Sequence, residues 1–171
     1  MGIISWLNSI SDKLRNRKIE NDYSDFKLVK TTMRHIKAIH AIEKECFSEP
    51  WSIYSLKNEI NHPQSICLAA IGKNGSVYGH LTLHYVLDEG NINNIAVRPA
   101  ARRHGIGRKL IEEAVSKSRA IGITSISLEV RTKNLAAISL YESLGFVTRG
   151  LRKNYYKKPI DDALIMWKNC D

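Results

Sequence analysis

The segment Arg102-Arg-His-Gly-Ile-Gly-Arg108 combines three guanidinium groups with glycines at 105 and 107. Glycines let a backbone approach a ligand closely, and the N–H groups left over at a helix start point outward with partial positive charge. That combination attracts phosphate. The spacing is neither the GxxxxGK[ST] of a P-loop nor the GxGxxG of a dinucleotide fold. The plainer alternative is a helix start with a solvated basic face. Glu129, in Leu128-Glu-Val-Arg131, offers a carboxylate on the polar face of an apolar strand, placed to take a proton from an ammonium group. Its alternative is an ordinary strand glutamate paired with Arg131 or a neighbour. Twelve residues on, Tyr141 ends the run Asn134-Leu-Ala-Ala-Ile-Ser-Leu-Tyr141. Its hydroxyl in the same cleft would protonate a departing thiolate. Otherwise Tyr141 is half-buried packing and Asn134 only a helix cap. No metal is expected of the six histidines.

The elements that must position these groups alternate in type. Phe26–Val29 is a short strand, and Met33, Ile36, Ile39, His40 and Ile42 recur at helical intervals up to about Cys46. The loop Phe47-Ser-Glu-Pro-Trp51 leads to a helix capped by Ser52 and ending near His62-Pro63. Strands Ile66–Ile71 and Val77–Leu87 flank the Asn-Gly turn at 74–75, a strong hairpin signal. A strand follows at Ile92–Val97, after the turn Asp88-Glu-Gly-Asn91. Gly105 then opens a helix whose apolar stripe is Ile106, Leu110, Ile111, Ala114, Val115 and Ser118, and Gly122 stops it. Ser125–Val130 is a strand, Leu135–Leu144 a helix closed by Gly145, and Phe146–Arg149 and Ala163–Trp167 are the last strands. Antiparallel hairpins thus precede a β-α-β-α-β run, a mixed α/β (α+β) domain.

A length of 171 residues fits one domain. Residues 1–25 read as an N-terminal appendage, in which Ile3, Leu7, Ile10 and Leu14 fall at helical spacing, and 26–171 as the folded domain. Those first 25 residues hold four basic and four acidic side chains, so the net charge of +9 belongs to the rest. It concentrates in two acid-free stretches, Arg98 to Lys109 and Arg149 to Lys158, which suit a polyanionic ligand. The longest apolar run, Ile66 to Ile71, is too short to span a bilayer, and no secretory signal is in view. Cys46, Cys67 and Cys170 make no CxxC pair, as expected of reduced thiols in the cytoplasm. The aromatic-basic pattern of a nucleic-acid reader is missing, so sequence-specific nucleic-acid binding is not expected. A monomer or weak dimer is.

Asn94-Ile-Ala-Val97, Arg102-Arg-His-Gly-Ile-Gly107, Leu128-Glu-Val-Arg131, Asn134, Tyr141 and Gly145-Phe146, in that order, resemble the GNAT acetyltransferase superfamily. The arginine segment fits that family's Q/R-x-x-G-x-G/A pattern. Phe47-Ser-Glu-Pro-Trp51, Val86-Leu-Asp-Glu89, Arg152-Lys-Asn-Tyr-Tyr156 and Asp162-Ala163 are most similar to its ribosomal-protein-alanine N-acetyltransferases, the RimI type. The resemblance covers about Phe26 to Lys168 and leaves out residues 1–25.

It implies the GNAT fold: a central, mostly antiparallel twisted sheet of six to seven strands, with a parallel pair at the cofactor cleft, flanked by about four helices. It implies acetyl-CoA as co-substrate, with Ile95, Ala96 and Val97 as the strand edge for the pantetheine arm. Arg102, Arg103, His104, Gly105, Ile106, Gly107 and Arg108 would cradle the pyrophosphate, and Asn134 would contact the cofactor. Glu129 would be the general base and Tyr141 the general acid. The acceptor, the N-terminal amine of a ribosomal protein, is expected in a groove bounded by Phe47, Trp51, Tyr155 and Tyr156. An α-amine titrates near 8 and a lysine near 10.4, so freeing lysine at neutral pH costs about 3 kcal/mol more. One carboxylate is adequate for the former. Other protein N-termini, lysine side chains or small amines are the alternative acceptors, and a non-enzymatic basic module docking on ribosomal RNA is the alternative class.

Overall fold

The computed structural model describes residues 23–170, so the amphipathic pattern of Ile3, Leu7, Ile10 and Leu14 lies outside the described residues. Strand β1 (Phe26–Lys30) is followed by a 3-10 turn (Met33–His35), helix α1 (Ile36–Cys46) and helix α2 (Ile53–Asn61). Then come β2 (Ser65–Gly72), β3 (Val77–Val86) and β4 (Glu89–Val97). A second 3-10 turn (Pro99–Ala101) leads to α3 (Ile106–Ala120), β5 (Ser125–Arg131) and α4 (Leu135–Ser143). The long hairpin β6 (Val147–Lys157) and β7 (Ile160–Asn169) closes the chain. Among the described residues there are therefore four helices and seven strands, in one sheet of order β1-β2-β3-β4-β5-β7-β6. Neighbours run antiparallel except β4 and β5. No helix among the described residues is long and apolar enough to cross a membrane.

Each face of the sheet is covered by helices whose apolar stripes fit it. Ile39 and Ile42 of α1 and Leu56 of α2 pack on Ala69, Ile71, Val77 and Ala96. On the other face Ile106, Leu110, Ile111 and Ala114 of α3 pack on Leu68, Leu81, Leu83, Ile92, Ile126 and Leu128. Fully burying each such side chain contributes about 2 kcal/mol. Two caps fix helix starts: Ser52 Oγ accepts from Ser55 N at 3.0 Å, and Asn134 Oδ1 accepts from Ala137 N at 3.3 Å.

The feature that makes a cleft is in β4. Leu83 pairs with Ile92 and Thr82 with Asn94, so Asn93 is an extra residue, a bulge. The parallel ladder to β5 runs from Glu89↔Ser125 to Ile92↔Leu128 and stops at that level. Beyond it β4 and β5 part, and the β5-facing edge of Ile95–Val97 pairs with no strand among the described residues.

Three strands differ from those expected by more than two residues at an end. β4 begins at Glu89 rather than Ile92, because the chain reverses within Leu87-Asp88, with Leu87 at φ 55. β6 and β7 extend well beyond Phe146–Arg149 and Ala163–Trp167. Nearly every residue of β6 is exposed, since only one of its edges is paired. A strand wet on both faces carries no apolar alternation to reveal it.

Candidate active site

Helix α3 begins at Gly105, which sits in the left-handed region at φ +78. The first N–H it engages is that of Lys109, donating to the Gly105 carbonyl at 3.0 Å. The N–H groups of residues 105 to 108 meet no acceptor among the described residues. Free backbone donors at a helix start suit an anion. At Gly107 a Cβ would make only ordinary contacts, 3.4 Å from Leu140 and 3.8 Å from Val97, so a branched side chain is what would crowd this helix start. The side chains around it differ in availability. Arg102 is folded back, with Nε donating to the Val97 carbonyl at 3.1 Å and Nη2 to Cys46 Sγ at 3.5 Å. Arg108 donates to Ser143 Oγ at 2.7 Å, and His104 Nδ1 lies 2.8 Å from the Arg102 carbonyl. Arg103 has no hydrogen bond or ion pair among the described residues.

Glu129 lies on β5 just past the last parallel pair, Ile92↔Leu128. Leu128 and Val130 point into the α3 core, so Glu129 points to the opposite face, where Arg152 Nη1 of β6 meets its Oε1 at 3.2 Å. Arg131, the partner considered from sequence, is occupied elsewhere. Its two terminal nitrogens donate to the carbonyls of Lys158 and Pro159 at 2.9 Å, and its guanidinium covers the Tyr156 ring at 4.1 Å. Tyr156 donates its hydroxyl to the Glu129 carbonyl at 3.3 Å, and burial pushes its pKa up to about 12.

Tyr141, on the last turn of α4, is buried in the α3-side core with its ring edge-on to Phe146 at 5.7 Å. Burial pushes its pKa well above the ordinary phenol value, with Tyr156 adding to the shift. Asn134 caps α4 with its side-chain oxygen, as above.

The hairpin tip and the loop after α1 meet. Ser48 Oγ donates to the Lys158 carbonyl, and Lys158 Nζ lies 3.9 Å from Glu49. Phe47 and Tyr155 are exposed beside this contact, while Trp51 packs on the α1–α2 core. The hairpin tip is thus tied on one side to the loop after α1 and on the other, through Arg131 and Tyr156, to β5.

The acetyltransferase (GNAT) family matches residues 36–146. The chain belongs to the GNAT acetyltransferase family. The [ribosomal protein bS18]-alanine N-acetyltransferase of Escherichia coli (strain K12) is 36% identical over 133 residues, 77% of this chain and 88% of that protein. That of Haemophilus influenzae is 34% identical over 131 residues, 75% of this chain and 88% of the relative. The crystal structure of the ribosomal-protein-S18-alanine N-acetyltransferase from Escherichia coli superposes with TM-score 0.79 at 32% identity, over 85% of this chain and 94% of that one. As a GNAT enzyme the chain is an acetyl-CoA-dependent N-acetyltransferase, and a run of unpaired N–H groups fits the diphosphate of that co-substrate.

Sequence reasoning missed one group in this GNAT site. Glu43 of α1, fully buried, accepts from His80 Nε2 at 2.8 Å, Asn94 Nδ2 at 2.9 Å and the Trp51 N–H at 2.9 Å. His40 Nδ1 takes the Trp51 carbonyl at 3.0 Å. One carboxylate therefore ties the loop after α1 to β3 and to the bulged strand β4. Its signal was a charged residue one place after Ile42, on the apolar stripe of α1, which solvation does not explain.

Proposed function

We propose that this enzyme acetylates the N-terminal α-amine of a protein in the cytoplasm, the acceptor being the alanine terminus of ribosomal protein bS18. The observation that carries the reading is the pair of walls at one splay: unpaired backbone donors at α3 and a carboxylate on β5, where β4 and β5 part. Identity above 30% over most of both chains to enzymes named for that acceptor supports the choice of substrate.

Residues 103–108 hold the pyrophosphate, Ile95–Val97 the pantetheine arm, and Asn134 completes the cofactor contacts. The bound co-substrate supplies a thioester carbonyl at the splay. Glu129 takes the proton that the amine nitrogen sheds as the C–N bond forms. Tyr141 gives its proton to the sulfur as the C–S bond breaks, and recovers one from solvent. Phe47, Trp51, Tyr155 and Tyr156 bound the entry through which a chain terminus, but no folded surface, reaches Glu129.

The test is a panel of peptides, with intact-mass spectrometry of ribosomal proteins from cells with and without the gene. Acetylation of the bS18 alanine terminus that disappears on deletion is expected, and its persistence overturns the acceptor assignment. Glu129→Gln should cut turnover by roughly 10²- to 10⁴-fold while acetyl-CoA affinity stays within about twofold. Turnover at the wild-type level would remove Glu129 from the role of base.

A further inference from the structure

Three asparagines, Asn91, Asn93 and Asn94, line the β4 bulge, and two of them are spoken for. Asn91 Nδ2 donates to Ser127 Oγ at 2.9 Å across the parallel ladder, and Asn94 Nδ2 donates to Glu43. Asn93 stands between the buried Ile92 and Asn94 and is itself exposed, although it lies on the middle strand of seven. Its carboxamide makes no hydrogen bond among the described residues.

The register says where it faces. Ile92 and Leu128 share the α3 core, whereas Asn91 and Ser127 meet on the opposite face. The bulge turns residues 93 and 94 to that second face together, with Asn94 reaching Glu43 of α1. Asn93 is one step beyond the Ile92↔Leu128 pair, as Glu129 is on β5, so the two are level across the opening.

We infer that Asn93 binds the first peptide unit of the acceptor, its side-chain oxygen accepting from the N–H that follows the reacting amine's residue. The inference rests on the acetyl-transfer reading above. A carboxamide oxygen accepts from a backbone N–H and is indifferent to the side chains beyond it. It holds no charge that would compete with Glu129 for the amine. A bulge is a usual means of aiming one side chain out of an otherwise regular strand.

The experiment uses the full chain, wild type and Asn93→Ala, on a peptide beginning with alanine and on the same peptide with its first amide replaced by an ester. The ester lacks the N–H and weakens the carbonyl as acceptor. Wild type should lose about tenfold in kcat/KM on the ester, the scale of one net hydrogen bond. Asn93→Ala should raise the peptide KM about tenfold, keep the acetyl-CoA KM and the thermal midpoint, and treat peptide and ester alike. A variant that keeps the wild-type peptide KM, or still prefers peptide over ester by the wild-type factor, overturns the assignment. If wild type acetylates no peptide terminus, the reading of an α-amine acceptor fails. The same comparison on the amine it does acetylate then decides Asn93 separately, with unaltered KM overturning it.

Discussion

Arg152, on the outermost strand, reaches across β7 to place Nη1 3.2 Å from Glu129 Oε1. The arginine side chain is 52% exposed and the glutamate 17%, so the contact is partly open to solvent. A pair that open contributes about 0.5 kcal/mol to stability, but it fixes which way the carboxylate points. Arg152→Ala is therefore expected to shift the thermal midpoint by no more than about 2 °C. Turnover should fall roughly ten- to hundredfold through misplacement of Glu129, with acetyl-CoA affinity unchanged and partial recovery in Arg152→Lys. Unaltered turnover would reduce the pair to surface decoration.

Tyr141 and Tyr156 make a pH prediction. Burial raises both phenols, Tyr156 to about 12 and Tyr141 beyond it. A group raised on folding contributes stability below its unfolded pKa, near 10, and loses it as pH climbs toward the folded value. Stability measured by denaturant unfolding should be flat in this respect up to about pH 10 and then decline. Tyr156→Phe should make the decline shallower. The same shift keeps Tyr141 protonated at working pH but a weak acid. Tyr141→Phe should accordingly cost less turnover than Glu129→Gln and impose no alkaline limb below about pH 10 in the rate profile.

Glu43 predicts a large stability effect from a residue outside the chemistry. Glu43→Ala strands the buried His80 and Asn94 side chains and the Trp51 N–H. Leaving such groups unpaired costs about 3–5 kcal/mol, a fall of roughly 10 °C in thermal midpoint for a chain of this size. The acceptor KM should rise more than that of acetyl-CoA in whatever folded protein remains, because Trp51 is among the residues proposed to bound the acceptor's entry. Equal changes in both would show that Glu43 supports the fold alone.

The cradle separates backbone from side-chain contributions. Arg103→Ala should weaken acetyl-CoA binding only about tenfold and flatten its salt dependence, since the N–H donors remain. Gly107→Val places methyl groups against Leu140 and Val97 and should abolish binding, as read by calorimetry. Equal affinity in Gly107→Val and wild type would dismiss the backbone cradle.

The chain order of elements, the helix caps at Ser52 and Asn134 and the glycine start at 105 were legible along the chain. They depend on interactions within a few residues, such as Ser52 with Ser55 or Gly105 with its own φ angle. Family motifs brought Arg102–Arg108, Glu129 and Tyr141 forward for the same reason: each is a local pattern in a fixed order. The full length of β6 escaped notice because its exposed residues follow no period, and only pairing with β7 makes them a strand.

What the sequence by itself determined, then, is the order of the elements and on which type of element each candidate residue stands. The tertiary structure decided whom each one meets. Glu129 takes Arg152 rather than Arg131 because sheet order places β6 one strand beyond β7, a neighbour that no spacing in the chain encodes. Glu43, His80 and Asn94 come together from 37 and 51 residues apart, and a single bulge in β4 opens the cleft at Asn93. Contacts at that separation are fixed by packing and register across the sheet, which local pattern does not carry.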